Sequence, residues 1–187
     1  RMLYGARASL MAGVVSVGIA VAIGVPLGLI AGYFGSYPDM VISRFTDALL
    51  AIPFLILAIA LAAFLGPSLT NAMIAIGLSA VPIFIRITRA QALSVKAEDY
   101  VEGARAIGLP NWRIILRYVF PNTLPPIIVQ ASLTIAAAII AEASLSFLGL
   151  GQQPPNPSWG SMLNTAKNFM SQAPTMSLFP GAAIFLI

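Results

Sequence analysis

Residues 9–33, SLMAGVVSVGIAVAIGVPLGLIAGY, form an apolar run of 25 residues without a single charged side chain. A helix needs about 20 mostly apolar residues to cross a bilayer, so this run predicts a transmembrane helix. Glycine has no side chain, and the run's glycines would let neighbouring helices approach closely. We interpret the spacing Gly24–Gly28–Gly32 as generic helix packing rather than as a specific dimer motif.

The composition of the whole chain points the same way. Hydrophobic residues make up 59% and charged residues 9% of the 187 residues, whereas soluble domains carry about a quarter charged residues. So few charges leave too little polar surface to cover a soluble globule, and we expect an integral membrane protein surrounded by lipid. The net charge of +4 does not indicate a nucleic-acid partner, because the basic residues flank predicted membrane segments.

Four further apolar runs predict membrane spans. They cover roughly residues 45–65, interrupted by Pro53, residues 71–87, with a kink expected at Pro82, residues 123–147, and a last run from about residue 176. The predicted fold is therefore all-α, a polytopic transmembrane helical bundle of about five spans in one domain over residues 1–187. Residues 35–44 and 66–71 are predicted to be short turns between spans.

Both ends of the chain are expected to be cut from a longer protein. The chain begins at Arg1 without an initiator Met, and it ends inside the apolar run 182–187. The last span would then be truncated at Ile187.

Two long connections differ in charge, and the difference predicts an orientation. Residues 88–121 are rich in charge, whereas residues 148–175 contain Pro, Gly, Asn and Gln and one charged residue, Lys167. Seven basic residues fall on the side of the first connection and three on the other, and positive charge favours the cytoplasmic side. Loop 88–121 is therefore predicted to be cytoplasmic and loop 148–175 external.

The segment 97–110 predicts a short amphipathic helix at the membrane surface. Apolar residues recur at helical spacing between charged ones. Glu98 and Asp99 suit its first turn, and Gly108 and Pro110 suit its end. Such a helix could dock into a groove on a cytosolic partner, but spacing alone favours an ordinary interfacial helix that anchors two spans.

A motif in this connection resembles the EAA loop of ABC importer permeases. That pattern is Glu-Ala-Ala, three residues, Gly, nine residues, then Ile, any residue, Leu-Pro. Here Glu102, Ala104, Gly108 and Pro121 match at the expected spacing. The chain departs from the pattern with Gly103 for the first Ala, Tyr118 for Ile and Phe120 for Leu.

The resemblance extends over nearly the whole chain. Residues 8–35, 47–71 and 141–163, the last reading AEASLSFLGLGQQPPNPSWGSML, resemble the second permease subunit of peptide/nickel-type importers. The implied fold is the type I ABC importer permease fold, in the cell inner membrane. That subunit has six spans with both ends cytoplasmic, so this chain would lack the amino-terminal tail, the first span and the end of the sixth.

The resemblance also implies a mechanism and partners. Two permease subunits form the pathway as a heterodimer, two cytosolic ATP-binding subunits dock on the coupling helix 97–110, and an external binding protein delivers the solute. Residues Glu102, Gly103, Ala104 and Gly108 would sit in the ATPase groove, Arg105 would make an ion pair at its rim, and Pro121 completes the motif. The implied cargo is a di- or oligopeptide or a related solute.

Glu142 is the clearest acidic residue within a predicted span. A carboxylate at membrane depth is costly, which makes a contact with substrate or a partner subunit a hypothesis. The alternative is a structural role near the external end of the span, with Ser144 and Ser146 close by. Asp47 is expected to pair with Arg44, three residues away, in a structural role.

Several functions are excluded or disfavoured. The chain lacks His and Cys and has no GxxxxGK[ST] phosphate loop, so we predict no catalytic residues, no metal site, no cofactor and no ATP hydrolysis by this chain alone. The alternative to an importer permease is an ion-coupled carrier or channel subunit, but such a protein should place several charges in its spans. An intramembrane enzyme should show His or paired acids at membrane depth, and a purely structural subunit would not explain the EAA-type spacing.

Overall fold

The computed structural model describes residues 1–186, and every regular element in them is helical. The α-helices run from α1 to α9 in chain order: α1 Met2–Phe34, α2 Ser36–Leu50, α3 Phe54–Leu65, α4 Leu69–Lys96, α5 Asp99–Ala106, α6 Asn111–Ile114, α7 Phe120–Phe147, α8 Trp159–Ala166 and α9 Thr175–Phe185. A π-helical turn, Ile115–Val119, joins α6 to α7, and a 3₁₀ turn, Lys167–Phe169, follows α8.

Three helical stretches are long and apolar enough to cross a membrane: α1, α4 and the continuous stretch Asn111–Phe147. Helices α2 and α3 form a fourth candidate span if they count as one, although their axes bend by 91°. Helix α9 is apolar but has 11 residues. The five predicted runs fall on these elements, of which three are long enough to span a membrane, or four if α2 and α3 count as one.

The break between α2 and α3 occurs where the sequence predicts it. Pro53 immediately precedes α3 and has no backbone N–H to donate. Pro82 lies inside α4, which continues through it as one helix, and the kink expected there stays a prediction.

The prediction of a short turn over residues 35–44 is wrong, because α2 begins at Ser36. Gly35, with φ +64°, ends α1, and side-chain contacts then hold the new helix. Arg89 donates from both Nε and Nη2 to the Asp39 carboxylate, the second bond measuring 2.7 Å. Asp47 pairs with Arg86 at 2.9 Å rather than with Arg44. Contacts between residues far apart in sequence leave no local signal.

The chain divides into two compact units, one of Ala20–Ile52 and Val81–Ser132, the other of Arg1–Ile19, Pro53–Ala80 and the chain from Leu133 onward. In the first unit, glycines of α1 face α4 at close range. A Cβ added at Gly24, Gly28 or Gly32 would lie 2.6–2.7 Å from the Cβ of Phe84, Thr88 or Ala92. The three-glycine spacing therefore packs α1 against α4 of the same chain, as small residues do between membrane helices.

The other unit has a core made largely of alanine. Small buried side chains from α3, α4 and α7 surround the larger Ile76 and Leu145. A Cβ added at Gly13 would lie 2.9 Å from Ile139, and one added at Gly77 would lie 2.9 Å from Ile19. Here too, close helix approach depends on missing side chains.

Candidate functional site

In the chain, helix α5 follows α4 and precedes the helical stretch Asn111–Phe147, and both of its ends have recognisable features. Asp99 and Glu102 occupy its first turn, where negative charge complements the helix dipole. At the other end, the Leu109 N–H donates to Ala104 O at 3.2 Å and the Gly108 N–H to Arg105 O at 2.9 Å. This pair of bonds, with Gly108 at φ +79°, is a Schellman cap. Gly108 is therefore needed for its backbone conformation.

The two faces of α5 have different surroundings. Val101 is fully buried and Ala104 is 4% exposed, so both pack against their own chain. Glu102, Gly103, Arg105 and Gly108 are exposed. A Cβ added at Gly103 would meet nothing within 4 Å, so the alanine of the EAA pattern would also fit there.

The exposed face of α5 is acidic and unpaired. Within residues 1–186, the carboxylates of Glu98, Asp99 and Glu102 take part in no ion pair; the two ion pairs there join Arg86 to Asp47 and Arg89 to Asp39. Ile107 adjoins this face with 76% of its surface exposed. The segment thus presents charge and apolar surface that its own chain leaves uncovered.

Tyr33, in the last turn of α1, contacts one residue of α5 and one residue on either side of that helix. Its hydroxyl donates to Asn111 Oδ1 at 2.9 Å. The Arg105 guanidinium carbon lies 5.2 Å from the ring centroid and Lys96 Nζ lies 6.0 Å from it. The sequence indicated only a tyrosine at the end of a span, a common position at membrane interfaces, and gave no sign of these partners.

Pro121 lies in α7, outside α5. It is exposed, and the π-helical turn directly precedes α7. Pro121 cannot donate a backbone hydrogen bond, and single π-helical turns next to α-helices are frequent at functional sites. Nearby, Asn122 Nδ2 donates to Tyr118 O at 2.6 Å, and the Tyr100 ring of α5 lies 6.5 Å from the Tyr118 ring.

Glu142 is fully buried and bonded to its own chain. It accepts hydrogen bonds from Ser9 Oγ at 3.0 Å and from Ser146 Oγ at 2.6 Å. Ser146 Oγ in turn accepts from the Gln152 N–H at 2.9 Å. Ser144 bonds elsewhere, to Ile140 O. The carboxylate therefore links α1, α7 and the start of loop 148–175, and its contact with substrate or a partner stays a prediction.

Loop 148–175 is an ordered part of its unit. Ser158 and Ser161 form a capping box at the start of α8. Trp159 is 7% exposed and its Nε1 donates to Met2 O at 3.3 Å. The loop borders a cavity of about 320 Å³ that includes Gln152, Gln153 and Asn156 in its lining.

The chain's residues 24–187 match the family model described as the binding-protein-dependent transport system inner membrane component. The chain belongs to this family. The match confirms the resemblance to importer permeases and the expectation of a multi-pass membrane protein.

Relatives with named transport systems match the whole chain. It is 50% identical over 187 residues to a dipeptide transport system permease protein of Alkalihalophilus pseudofirmus, covering 100% of this chain and 62% of that protein. It is 44% identical over 186 residues to a glutathione transport system permease protein of Pectobacterium atrosepticum, with the same coverage. The chain thus spans less than two thirds of these relatives.

Solved structures show the same fold. An inward-facing MetNI methionine ABC transporter matches with a TM-score of 0.77 at 19% identity, over 98% of this chain and 89% of that one. An amino acid ABC transporter matches with a TM-score of 0.66 at 18% identity, over 95% and 83%. The predicted all-α permease fold is confirmed.

Proposed function

We propose that this chain is part of a permease subunit of an ATP-driven, binding-protein-dependent importer, and that residues 97–110 are its coupling segment to cytosolic ATPases. The observation that carries this proposal is the exposed face of α5, where Glu102 and Gly108 fit the EAA spacing and the acids have no ion-pair partner within residues 1–186. An exposed charged face on a short capped helix can enter a groove of a soluble protein.

The working assembly would contain a second permease subunit, two ATP-binding subunits and an external binding protein. Loop 88–121, with its basic residues, would face the cytoplasm, and loop 148–175 would face the binding protein. Nucleotide state and pathway access would bias one two-state assembly. The chain itself would carry out no chemistry.

The cargo we propose is a short peptide. Relatives of this chain are named for dipeptide and glutathione transport, and a third, 45% identical, is a probable D,D-dipeptide permease protein of Escherichia coli. These cargoes share a small peptide backbone with charged ends, which is the chemistry that the pathway would have to accept.

The test is co-purification of the full-length subunit with the ATPases encoded beside it. We expect Glu102→Lys to weaken ATPase binding by about tenfold or more, because a charge of the wrong sign at an interface costs more than 1 kcal/mol. Gly108→Trp should act in the same direction, since a side chain at φ +79° strains the Schellman cap.

Asn156→Lys is the matched control. It adds positive charge at an exposed position of loop 148–175, on the side proposed to be external, and should leave ATPase binding unchanged. Equal binding by wild type and Glu102→Lys would contradict the coupling role of α5. If no ATPase binds any form, the importer proposal fails and an ion-coupled carrier becomes the hypothesis to test.

A further inference from the structure

Tyr33 joins the ends of four helices within one compact unit. It lies in the last turn of α1, its ring faces Lys96 at the end of α4 and Arg105 in α5, and its hydroxyl bonds Asn111 at the start of α6. The two residues that flank the coupling segment, residues 97–110, therefore both contact the same side chain.

These contacts differ from those of an ordinary interfacial tyrosine. Aromatic residues at a membrane interface keep their polar end in water, but Tyr33 is 3% exposed and its hydroxyl is bonded to a side chain. A guanidinium within about 6 Å of an aromatic ring is attracted to it, and more strongly when water is excluded. Tyr33 is thus placed to hold the segment.

The part of α1 that precedes Tyr33 packs closely against α4. One residue before it, Gly32 packs so closely that an added Cβ would lie 2.7 Å from the Ala92 Cβ and from Arg89 O. Gly28 meets Thr88 and Ile85 in the same way. Because α1 and α4 are in such close contact here, we expect Tyr33 and Lys96 to move together.

We propose that Tyr33 is a positioning residue that fixes the coupling segment on α1 and α4, so that movement of α5 is passed to these two membrane helices. This inference rests on the proposed function in one respect, namely that α5 is the element that docks an ATPase. Tyr33 acts through Arg105 and Asn111 and does not touch the ATPase.

The experiment separates the position of α5 from docking. Residues 1–187 contain no cysteine, so a nitroxide label on Ile107→Cys reports α5 mobility once any cysteine elsewhere in the full-length subunit is replaced. ATPase affinity is measured on the unlabelled variants, because Ile107 adjoins the face proposed to dock. The variants are Tyr33→Leu, which removes ring and hydroxyl, Tyr33→Phe, which removes the hydroxyl, and Glu102→Lys.

Tyr37→Leu is the matched control, since it makes the same change at a tyrosine that is 70% exposed. We expect Tyr33→Leu to mobilise the label and weaken ATPase binding about tenfold, through loss of a hydrogen bond and a cation–π contact. Tyr33→Phe should lose about fivefold. Tyr37→Leu should change neither readout by more than about twofold.

A mutant cycle tests the hydroxyl contact. Asn111→Leu should reproduce Tyr33→Phe, and the double variant should lose no more than either single one, because both remove the same bond. Asn111→Asp keeps an acceptor and should preserve binding. If the losses in ATPase binding of the two single variants add up in the double variant, the hydrogen bond between Tyr33 and Asn111 is not their cause.

The outcomes distinguish the two proposals. Glu102→Lys should weaken ATPase binding about tenfold or more and leave the label immobile. Tyr33→Leu should change both the mobility of the label and the ATPase affinity. An equally ordered label in Tyr33→Leu would overturn the positioning role, as would a mobilised label with unchanged ATPase affinity. If wild type binds no ATPase, the proposed function and the docking part of this inference both fail, while the label still decides whether Tyr33 holds α5.

Discussion

The coupling segment and the surroundings of Glu142 use acidic side chains in opposite ways. In the segment, Glu98, Asp99 and Glu102 are exposed and have no ion-pair partner within residues 1–186. Glu142 has no exposed surface and accepts two serine hydrogen bonds. A carboxylate that is free at the surface is available to another protein, whereas one that is buried and bonded stabilises its own chain.

This difference predicts which acids matter for folding and which for assembly. Removing an exposed, unpaired carboxylate changes the free energy of unfolding by no more than about 0.5 kcal/mol. Removing a buried acceptor leaves its donors without partners, at about 1–3 kcal/mol each. The same residue type should therefore give two distinct phenotypes in one chain.

The largest effect is expected at Glu142. Glu142→Ala leaves the hydroxyls of Ser9 and Ser146 without their acceptor and opens a cavity, so the free energy of unfolding should fall by about 3 kcal/mol. Thermal unfolding of the purified full-length subunit in detergent measures this loss.

Two variants control that measurement. Glu142→Gln keeps the volume and a carbonyl acceptor, and should lose about 1 kcal/mol. Glu102→Ala, in the coupling segment, should melt like wild type. If Glu142→Ala melts with wild type, the serine contacts do not stabilise the fold, and a role for Glu142 toward substrate or a partner gains weight.

A smaller effect is expected in the glycine-packed part of α1. Gly28→Ala places a Cβ 2.6 Å from the Thr88 Cβ and 2.7 Å from Ile85 O, so the helices must separate at a cost of about 2 kcal/mol. Gly18→Ala on the same helix meets nothing within 4 Å and should raise stability by about 0.5 kcal/mol. Equal melting temperatures for the two variants would mean that α1 and α4 are less tightly packed than the structure has them.

The sequence predicted the features that depend on local pattern. The long apolar runs, the break at Pro53 and the short helix within 97–110 all follow from hydropathy, proline chemistry and capping residues. Gly108 was predicted to end α5, and its φ of +79° supplies the reason.

The sequence could not predict which distant residues meet. Asp39 and Arg89 are separated by 50 positions, and Tyr33 and Asn111 by 78. The first pair joins α2 to α4 and the second joins α1 to α6. No local pattern pointed to either, so the turn expected over residues 35–44 is wrong and the sequence gives no sign of the partners of Tyr33. The spacing of the EAA-type motif also gives no sign that Ala104 is buried while Glu102, Gly103 and Arg105 are exposed. Their roles in coupling stay predictions.

Thr88 is expected to give a smaller effect than Gly28, and the opposite sign from Glu142. It is fully buried, yet its Oγ1 has no hydrogen-bond partner within residues 1–186. Thr88→Val keeps the shape of the side chain and removes the unsatisfied hydroxyl, so the free energy of unfolding should rise by about 1 kcal/mol. Thr88→Ser keeps the hydroxyl, removes a methyl group, and should lose about 1 kcal/mol. If thermal unfolding shows Thr88→Val to be destabilised, the hydroxyl has a partner in the full-length subunit, and Thr88 joins Glu142 among the buried groups that hold the chain together.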